Sequence, residues 1–164
     1  MAKSTIDLDR LPRIDRPGRI AILCSKWYPE LVESMASACR GVLERAGYRR
    51  IETHVLPGSL ELPLAAADLL AEDRAGELDA IVCFGVIVKG ETLHFEMISN
   101  ACMNGLARVS LDYRRPVVVE VLPVLDIEHA RARAGDDEYN KGYEAAAAAL
   151  EMIAWRRRVT TGPA

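Results

Sequence analysis

The sequence lacks the features of a membrane, exported or nucleic-acid-binding protein. It contains no run of eighteen apolar residues, so no membrane span is expected. The polar segment 1–17 has no apolar core of the kind that a signal peptide carries. The net charge is −3, and the one basic cluster, at 156–158, is typical of a helix end whose charges match the helix dipole. We therefore expect neither a membrane nor a nucleic acid as a partner, and a cytoplasmic location.

The chain also has no cysteine or histidine pattern that indicates a metal site. Its four cysteines form no CxxC pair, and its three histidines stand at no metal-ligand spacing from them. Single cysteines in predicted strands and helices usually behave as small buried hydrophobes. We expect no bound metal, and we expect free thiols in a reducing compartment at Cys24, Cys39, Cys83 and Cys102.

Short apolar runs alternate with helical patterns along the chain, which predicts one α/β domain. The predicted strands are 18–25, 51–56, 79–86 and 117–122, and the predicted helices are 29–46, 60–71, 93–113, 126–133 and 141–157. Four parallel strands with helices on both faces form a three-layer α/β/α sandwich of flavodoxin-like class. Pro123 should end the fourth strand because proline cannot donate to a ladder. We expect an arm at 1–17, the domain at 18–158 and a tail at 159–164.

The stretch 85–96 carries the clearest functional signal. It follows a buried strand, contains Gly85 and Gly90, and places Thr92 near the start of the next helix, so we predict a strand-to-helix turn at 85–92. Helix N-termini at the carboxyl edge of a sheet suit an anion such as phosphate. His94, one turn on, carries an imidazole, the side-chain type that most often transfers protons in enzymes. This pattern predicts chemistry on a small phosphorylated molecule, and a plain βα turn with an exposed histidine remains the alternative.

Two further turns should meet at the same edge. Trp27 follows the first strand, where it could stack on a planar ligand or, alternatively, cap a helix in a partly buried position. Gly58 allows close backbone approach after the second strand, and Glu61 could accept hydrogen bonds from hydroxyls. The alternative for Glu61 is an acid matched to a helix dipole.

Four segments together resemble one enzyme family. Residues 57–63 read PGSLELP, which resembles the PGxxE(I/L)P segment of lumazine synthases, and residues 85–96 read GVIVKGETLHFE, similar to their GxVIxGxTxHF(D/E) segment. Residues 132–135 and 140–146 match their RAG and NKGxEAA segments. Because the segments occur in the family's order between about 18 and 157, the chain is identified as a member of the lumazine synthase family.

The resemblance implies a reaction that needs no cofactor. The family condenses 5-amino-6-(D-ribitylamino)uracil with 3,4-dihydroxy-2-butanone 4-phosphate to 6,7-dimethyl-8-ribityllumazine, the penultimate intermediate of riboflavin synthesis. One alternative is a non-catalytic flavin- or lumazine-binding protein on the same scaffold. Another is an FMN-binding flavodoxin-like module, which should have a loop rich in hydroxyls and glycine after the first strand. The segment Lys26-Trp27-Tyr28-Pro29 does not fit that loop.

The resemblance also implies a role for particular residues. Trp27 would stack on the pyrimidine, Glu61 would accept from the ribityl hydroxyls, and His94 would transfer protons. In the same subunit, Ser59 and Leu60 would contact the ribityl chain. The uracil edge would be bound by Val86, Ile87 and Val88, and the phosphate by Glu91 and Thr92.

A neighbouring subunit would complete the site. Arg133 would pair with the substrate phosphate, where a guanidinium fork fits well, and Val119 and Lys141 would reach the site from the same neighbour. The implied assembly is a homopentamer, and some members of the family pack twelve pentamers into an icosahedral shell.

Several positions depart from the family's common pattern. Leu60 and Val119 stand where phenylalanine is frequent, and we expect the larger ring of Trp27 to compensate for the lost aromatic contact. Glu91 stands where a small residue is usual, so its carboxylate must point away from a bound phosphate. The acidic loop 136–138 should weaken phosphate binding unless it faces outward. Its charge leaves open whether five, ten or sixty chains assemble.

Overall fold

The structure is a computed structural model, and it describes residues 6–161. The predicted arm and tail therefore lie partly outside the described residues. Two 3₁₀ turns accompany the main elements, at Leu8–Arg10 and Ser59–Glu61. The strands and helices are, in chain order, β1 (Arg19–Ser25), α1 (Pro29–Arg45), β2 (Arg50–Leu56), α2 (Leu62–Glu72), β3 (Leu78–Val88), α3 (His94–Tyr113), β4 (Val117–Val124), α4 (Ile127–Arg131) and α5 (Lys141–Thr161).

The four strands form one parallel sheet in the order β2-β1-β3-β4. Alternate residues of β1 and β3 point to opposite faces, and both sets are buried because helices cover both faces. The face that carries Ile22 packs against α1 and α5, and the face that carries Leu23 packs against α2 and α3. The fold class predicted from the sequence, a three-layer α/β/α sandwich on a four-stranded parallel sheet, is confirmed.

Two predicted boundaries near the site were wrong. Strand β3 continues to Val88, so Gly85 lies within the strand and the turn begins only at Lys89. Strand β4 continues through Pro123 to Val124 and does not end at the proline. A proline is compatible with β4 because this strand lies at the edge of the sheet, where alternate N–H groups have no strand partner. The backbone N–H of Lys89 donates to the Val124 carbonyl at 2.9 Å and extends the pairing.

Two helix ends also differ from the predictions. The predicted helix at 60–71 begins as the 3₁₀ turn Ser59–Glu61 and becomes α-helical at Leu62, next to Pro63 in the first turn. The last helix continues past the predicted end at 157 to Thr161. Asp126 caps the start of α4, because its carboxylate accepts from the Glu128 N–H at 2.9 Å.

Helix α5 lies directly against α1 at Gly142. A Cβ at Gly142 would lie 2.0 Å from the Met35 carbonyl oxygen and 2.9 Å from the Cys39 nitrogen, so only glycine allows this approach. The side chain of Asn140 accepts from the Gly142 N–H at 2.8 Å and fixes the start of α5. The NKG segment therefore sets the position of Lys141, which begins this helix.

All four cysteines are free and buried, as predicted. Burial raises the pKa of the Cys24 thiol and of the Cys102 thiol to about 11, which keeps both in the unreactive protonated form. Within the described part of the chain, no three histidine, cysteine or acidic side chains are grouped so that they could hold a metal ion. No helix between residues 6 and 161 is both long and apolar enough to cross a membrane.

Candidate active site

Trp27 and Glu61 stand on either side of Gly58 at the carboxyl edge of the sheet. A Cβ at Gly58 would lie 3.6 Å from the indole Nε1 and 3.0 Å from Oε2 of Glu61, so a larger residue would fill the space between the two side chains. Trp27 is 65% exposed. Tyr28, and not Trp27, is the residue that caps α1, in a left-handed conformation with φ of 55°. The indole is therefore free to stack on a planar ligand, and the alternative of a partly buried helix-capping tryptophan does not hold.

Ser59 is buried beneath this surface. A Cβ at Gly85 would lie 2.6 Å from Oγ of Ser59 and 3.4 Å from Oγ of Ser25, so the glycine makes room for both hydroxyls at the end of β3. The Ser25 hydroxyl has no hydrogen-bond partner among the described residues. Leu60 is 49% exposed, and Glu61 is also exposed. Within the 59–61 turn, Leu60 and Glu61 face outward while Ser59 supports the sheet.

The backbone at 85–88 has unused hydrogen-bonding capacity on one side. The pairing of β3 with β1 ends at Phe84, opposite Cys24, whereas the pairing of β3 with β4 continues to Val88. Backbone groups of Gly85–Val88 that point toward β1 therefore have no strand partner, and a bound ring with donor and acceptor edges could satisfy them. Val86 is buried, and Ile87 and Val88 are half-buried.

The turn after β3 is open to solvent. Glu91, Thr92 and His94 are all exposed, and Oγ1 of Thr92 accepts from the His94 N–H at 3.4 Å. Lys89 and Glu96 form an ion pair of 3.3 Å that connects the two ends of the turn. A helix N-terminus has N–H groups without an intrahelical partner, so α3 can offer donors to an anion besides the His94 N–H that Thr92 accepts. This geometry fits the predicted phosphate turn, and it equally fits the plain βα turn with an exposed histidine.

Arg133 and Lys141 are fixed together by backbone and side-chain bonds. The Lys141 N–H donates to the Arg133 carbonyl at 2.8 Å, and Nδ2 of Asn140 donates to the Gly135 carbonyl at 2.8 Å. The Arg133 guanidinium donates to the His129 carbonyl at 2.7 Å, while Nζ of Lys141 pairs with Glu144. Both cations are therefore held by their own chain, in a rigid unit that follows β4.

By their position in the fold, most of the predicted site residues fall into two groups. Among the described residues, no hydrogen bond or ion pair joins Arg133 or Lys141 to Thr92, His94 or Trp27. Val119 is a half-buried residue of β4, opposite Cys83 and on the face that packs against α2 and α3. One group, at the ends of β1, β2 and β3, comprises Trp27, Ser59, Leu60, Glu61, Val86, Ile87, Val88, Glu91, Thr92 and His94; the other, after β4, comprises Arg133 and Lys141, and Val119 belongs to neither because it lies within β4 on the face opposite α5.

Glu120 is a charged residue near this second group to which the sequence reasoning gave no role. It lies opposite Phe84 on β4, and the alternation of the strand turns it toward α1 and α5. Burial raises the pKa of its carboxyl to about 7, Lys141 opposes this rise and Glu144 adds to it. The sequence signal that could have identified Glu120 is an acidic residue within the apolar run Val117–Val124.

The fold and these turns define the class of protein: an α/β protein whose sheet edge presents an aromatic ring, unpaired backbone groups and an exposed turn at the start of a helix. The chain belongs to the 6,7-dimethyl-8-ribityllumazine synthase family, whose model matches residues 17–157. It is similar to the 6,7-dimethyl-8-ribityllumazine synthases of Stenotrophomonas maltophilia strains K279a and R551-3. The aligned 143 residues are 41% identical in each case and cover 86% of this chain and 90% of the relative.

Proposed function

We propose that this chain is an enzyme that condenses 5-amino-6-(D-ribitylamino)uracil with 3,4-dihydroxy-2-butanone 4-phosphate. The product is 6,7-dimethyl-8-ribityllumazine, an intermediate of riboflavin biosynthesis, and phosphate and water are released. Membership in the family supports this reaction, as does the similarity to two 6,7-dimethyl-8-ribityllumazine synthases over most of the chain. The substrates are small molecules, and the family works as an oligomer.

The observation that carries the binding proposal is the unpaired backbone of Gly85–Val88 on the side that faces β1. The uracil edge carries both donors and acceptors, so it can bond to the N–H and C=O groups of Val86 and Val88, which face β1, while those of Ile87 between them face β4. Trp27 lies after β1, on the same side, and its exposed indole stacks on the ring. The ribityl chain then extends toward Leu60 and Glu61, where the carboxylate accepts from its hydroxyls, with Ser59 beneath them.

The second substrate binds at the turn after β3. Its phosphate accepts from the N–H groups at the start of α3 and from the Thr92 hydroxyl, with Glu91 contributing its backbone. His94 follows directly and moves the protons that imine formation and phosphate elimination require. Much of the rate comes from holding the amine of one substrate against the ketone of the other.

A neighbouring subunit supplies Arg133, Lys141 and Val119. The hydrogen bonds of one chain support this arrangement, because Arg133 and Lys141 bond to His129 and Glu144 and neither bonds to Thr92 or His94. An Arg133 guanidinium from the neighbour would neutralise the phosphate as it leaves. The proposed assembly is a homopentamer, and the icosahedral form is a further association of such pentamers.

The test is to add both substrates to the purified protein and to follow lumazine absorbance, with light scattering on the same sample. Formation of lumazine by an oligomer of about five or more chains is the expected result. Omission of the phosphate ester is the matched control and should abolish the signal. An oligomer that binds lumazine or riboflavin without forming lumazine would support the non-catalytic alternative instead.

A further inference from the structure

Three arginines meet at the amino edge of the sheet, opposite the candidate active site. Arg114 and Arg115 connect α3 to β4, and Arg156 lies in the last turns of α5. Arg115 and Arg156 are half-buried. Among the described residues, no carboxylate lies within ion-pair distance of any of the three, and the Arg115 guanidinium donates only to the Arg114 carbonyl, at 3.5 Å.

A cavity of about 170 Å³ opens between Arg115 and Arg156. Asp79 forms part of its wall, but this carboxylate already accepts from Arg157 at 3.0 Å, from the Tyr48 hydroxyl at 2.8 Å and from the Gly18 N–H at 2.8 Å. The charge of Asp79 is therefore balanced by Arg157. The uncompensated charge of the cavity is positive and belongs to Arg115 and Arg156.

This arrangement is electrostatically unfavourable without an additional anion. Burial, and then the like charges of Arg115 and Arg114, lower the pKa of the Arg156 guanidinium. Half-buried cations without a partner carry a desolvation cost that an ion pair normally offsets. An anion placed between the two guanidinium groups would remove both the repulsion and the unpaired donors.

We propose that this cavity binds a phosphate-type oxyanion between the guanidinium groups of Arg115 and Arg156. Two planar forks directed at one tetrahedral anion match phosphate oxygens better than a single carboxylate. The cavity has room for a phosphate group but not for an extended polyanion. The bound oxyanion is either inorganic phosphate or the phosphate group of a small ester, since both present the same oxygens.

The cavity is remote from the proposed catalytic phosphate turn. Asp79 is near the start of β3, and the turn follows its end at Val88. The nine residue steps from Asp79 to Val88, at about 3.3 Å each, separate the two edges by about 30 Å. Loss of the oxyanion site should therefore leave the rate of the condensation unchanged. The oxyanion site also does not depend on the chain being an active synthase.

Equilibrium dialysis of the full chain against radiolabelled inorganic phosphate tests the proposal. Beyond any phosphate held at the catalytic turn, which the variants leave intact, the wild type should bind one phosphate per chain that the double variant Arg115→Gln/Arg156→Gln loses or binds at least about tenfold more weakly. The control Arg74→Gln/Arg108→Gln removes the same charge from exposed positions and should bind like the wild type. Arg156→Lys keeps the charge but not the fork, and it should weaken binding severalfold.

Competition distinguishes the two sources. If glycerol phosphate displaces the label as effectively as unlabelled phosphate, the natural ligand is a phosphate ester. If glycerol phosphate displaces it more weakly, the ligand is the free ion. Phosphate binding that is equal in the wild type and in Arg115→Gln/Arg156→Gln would overturn the proposal. An equal loss in the control double variant would do so as well, because it would indicate diffuse charge attraction. Binding of a single-stranded oligonucleotide without binding of phosphate would assign the surface to a different partner and also overturn it.

Discussion

Gly85 and Ser59 meet so closely that a Cβ at residue 85 would lie 2.6 Å from the Ser59 Oγ. Gly85→Ala should therefore displace the 59–61 turn and lower the stability of the protein by about 1–3 kcal/mol. It should also raise the KM for the pyrimidine substrate, because the same turn carries Leu60 and Glu61. Urea unfolding and steady-state kinetics measure the two effects.

Gly90→Ala is the matched control, since a Cβ at that position meets nothing within 4 Å. It should change stability by less than about 0.5 kcal/mol. If Gly85→Ala and Gly90→Ala lost the same amount of stability, the close approach of Gly85 to Ser59 would not be what holds the 59–61 turn in place.

Gly142→Ala should be among the most destabilising single-methyl additions in the chain. The added carbon would lie 2.0 Å from the Met35 carbonyl oxygen, which is backbone and cannot move aside cheaply, so we expect a loss of about 3 kcal/mol or more. Thermal unfolding measures it. Gly41→Ala is the control, because its nearest contact would be Nη1 of Arg45 at 3.7 Å, and it should stabilise α1 by up to about 1 kcal/mol. A stable Gly142→Ala variant would contradict the packing of α5 on α1.

Trp27→Phe should raise the KM for the pyrimidine substrate severalfold. Stacking on an aromatic ring contributes about 1–3 kcal/mol per base, and part of it should be lost with the smaller ring because Leu60 and Val119 supply no other aromatic surface. Steady-state kinetics on both substrates measure the change. Trp155→Phe is the control, since that tryptophan is 49% exposed on α5 and belongs to no proposed site. An unchanged KM in Trp27→Phe would refute the compensation by Trp27.

His94→Ala should slow the condensation and not abolish it. A positioned acid–base typically contributes about 10²–10⁴-fold, and substrate positioning by the other residues persists. The kcat should fall and the two KM values should change little. A variant with wild-type kcat would remove His94 from the mechanism and favour the plain exposed histidine of the turn.

Glu120→Gln should reduce the pH dependence of stability. Below about pH 4.5 the Glu120 carboxyl is protonated in both the folded and the unfolded state, whereas between about 4.5 and 7 only the unfolded state has released its proton. The wild type should therefore lose up to about 3 kcal/mol of stability as pH rises through this window, and the loss should level off above about pH 7. Urea unfolding at pH 5, 6, 7 and 8 checks this, with Glu151→Gln on the exposed side of α5 as the control. Parallel pH profiles for the wild type and Glu120→Gln would contradict the burial of this carboxyl.

Sequence patterns were sufficient for the sheet, for its helical cover and for the three turns at its edge. The apolar runs of β1 and β3 and the glycines that follow the strands are local signals, and each identifies an element by itself. The order of the strands in the sheet is not a local property of the sequence. Pro123 can remain within β4 because β4 is an edge strand, where a missing N–H breaks no ladder bond.

The binding groups that matter most were harder to predict. The free backbone of Gly85–Val88 arises because the β1–β3 pairing ends at Phe84, four residues before the β3–β4 pairing ends at Val88. It is a property of two pairings and not of one segment. The raised pKa of Glu120 likewise arises from residues distant in sequence. The roles of Arg133 and Lys141 came from family resemblance, since the described contacts of one chain do not connect them to His94.

The central claim is that each active site is built from two chains, and mixing of inactive variants tests it most directly. His94→Ala and Arg133→Gln subunits, each weakly active alone, would be co-expressed and the mixed oligomers assayed for lumazine. If His94 and Arg133 come from different subunits, about a quarter of the sites in a random mixture contain both intact, so activity should return to about that fraction of wild type. Mixed oligomers no more active than the two parents would contradict the shared site.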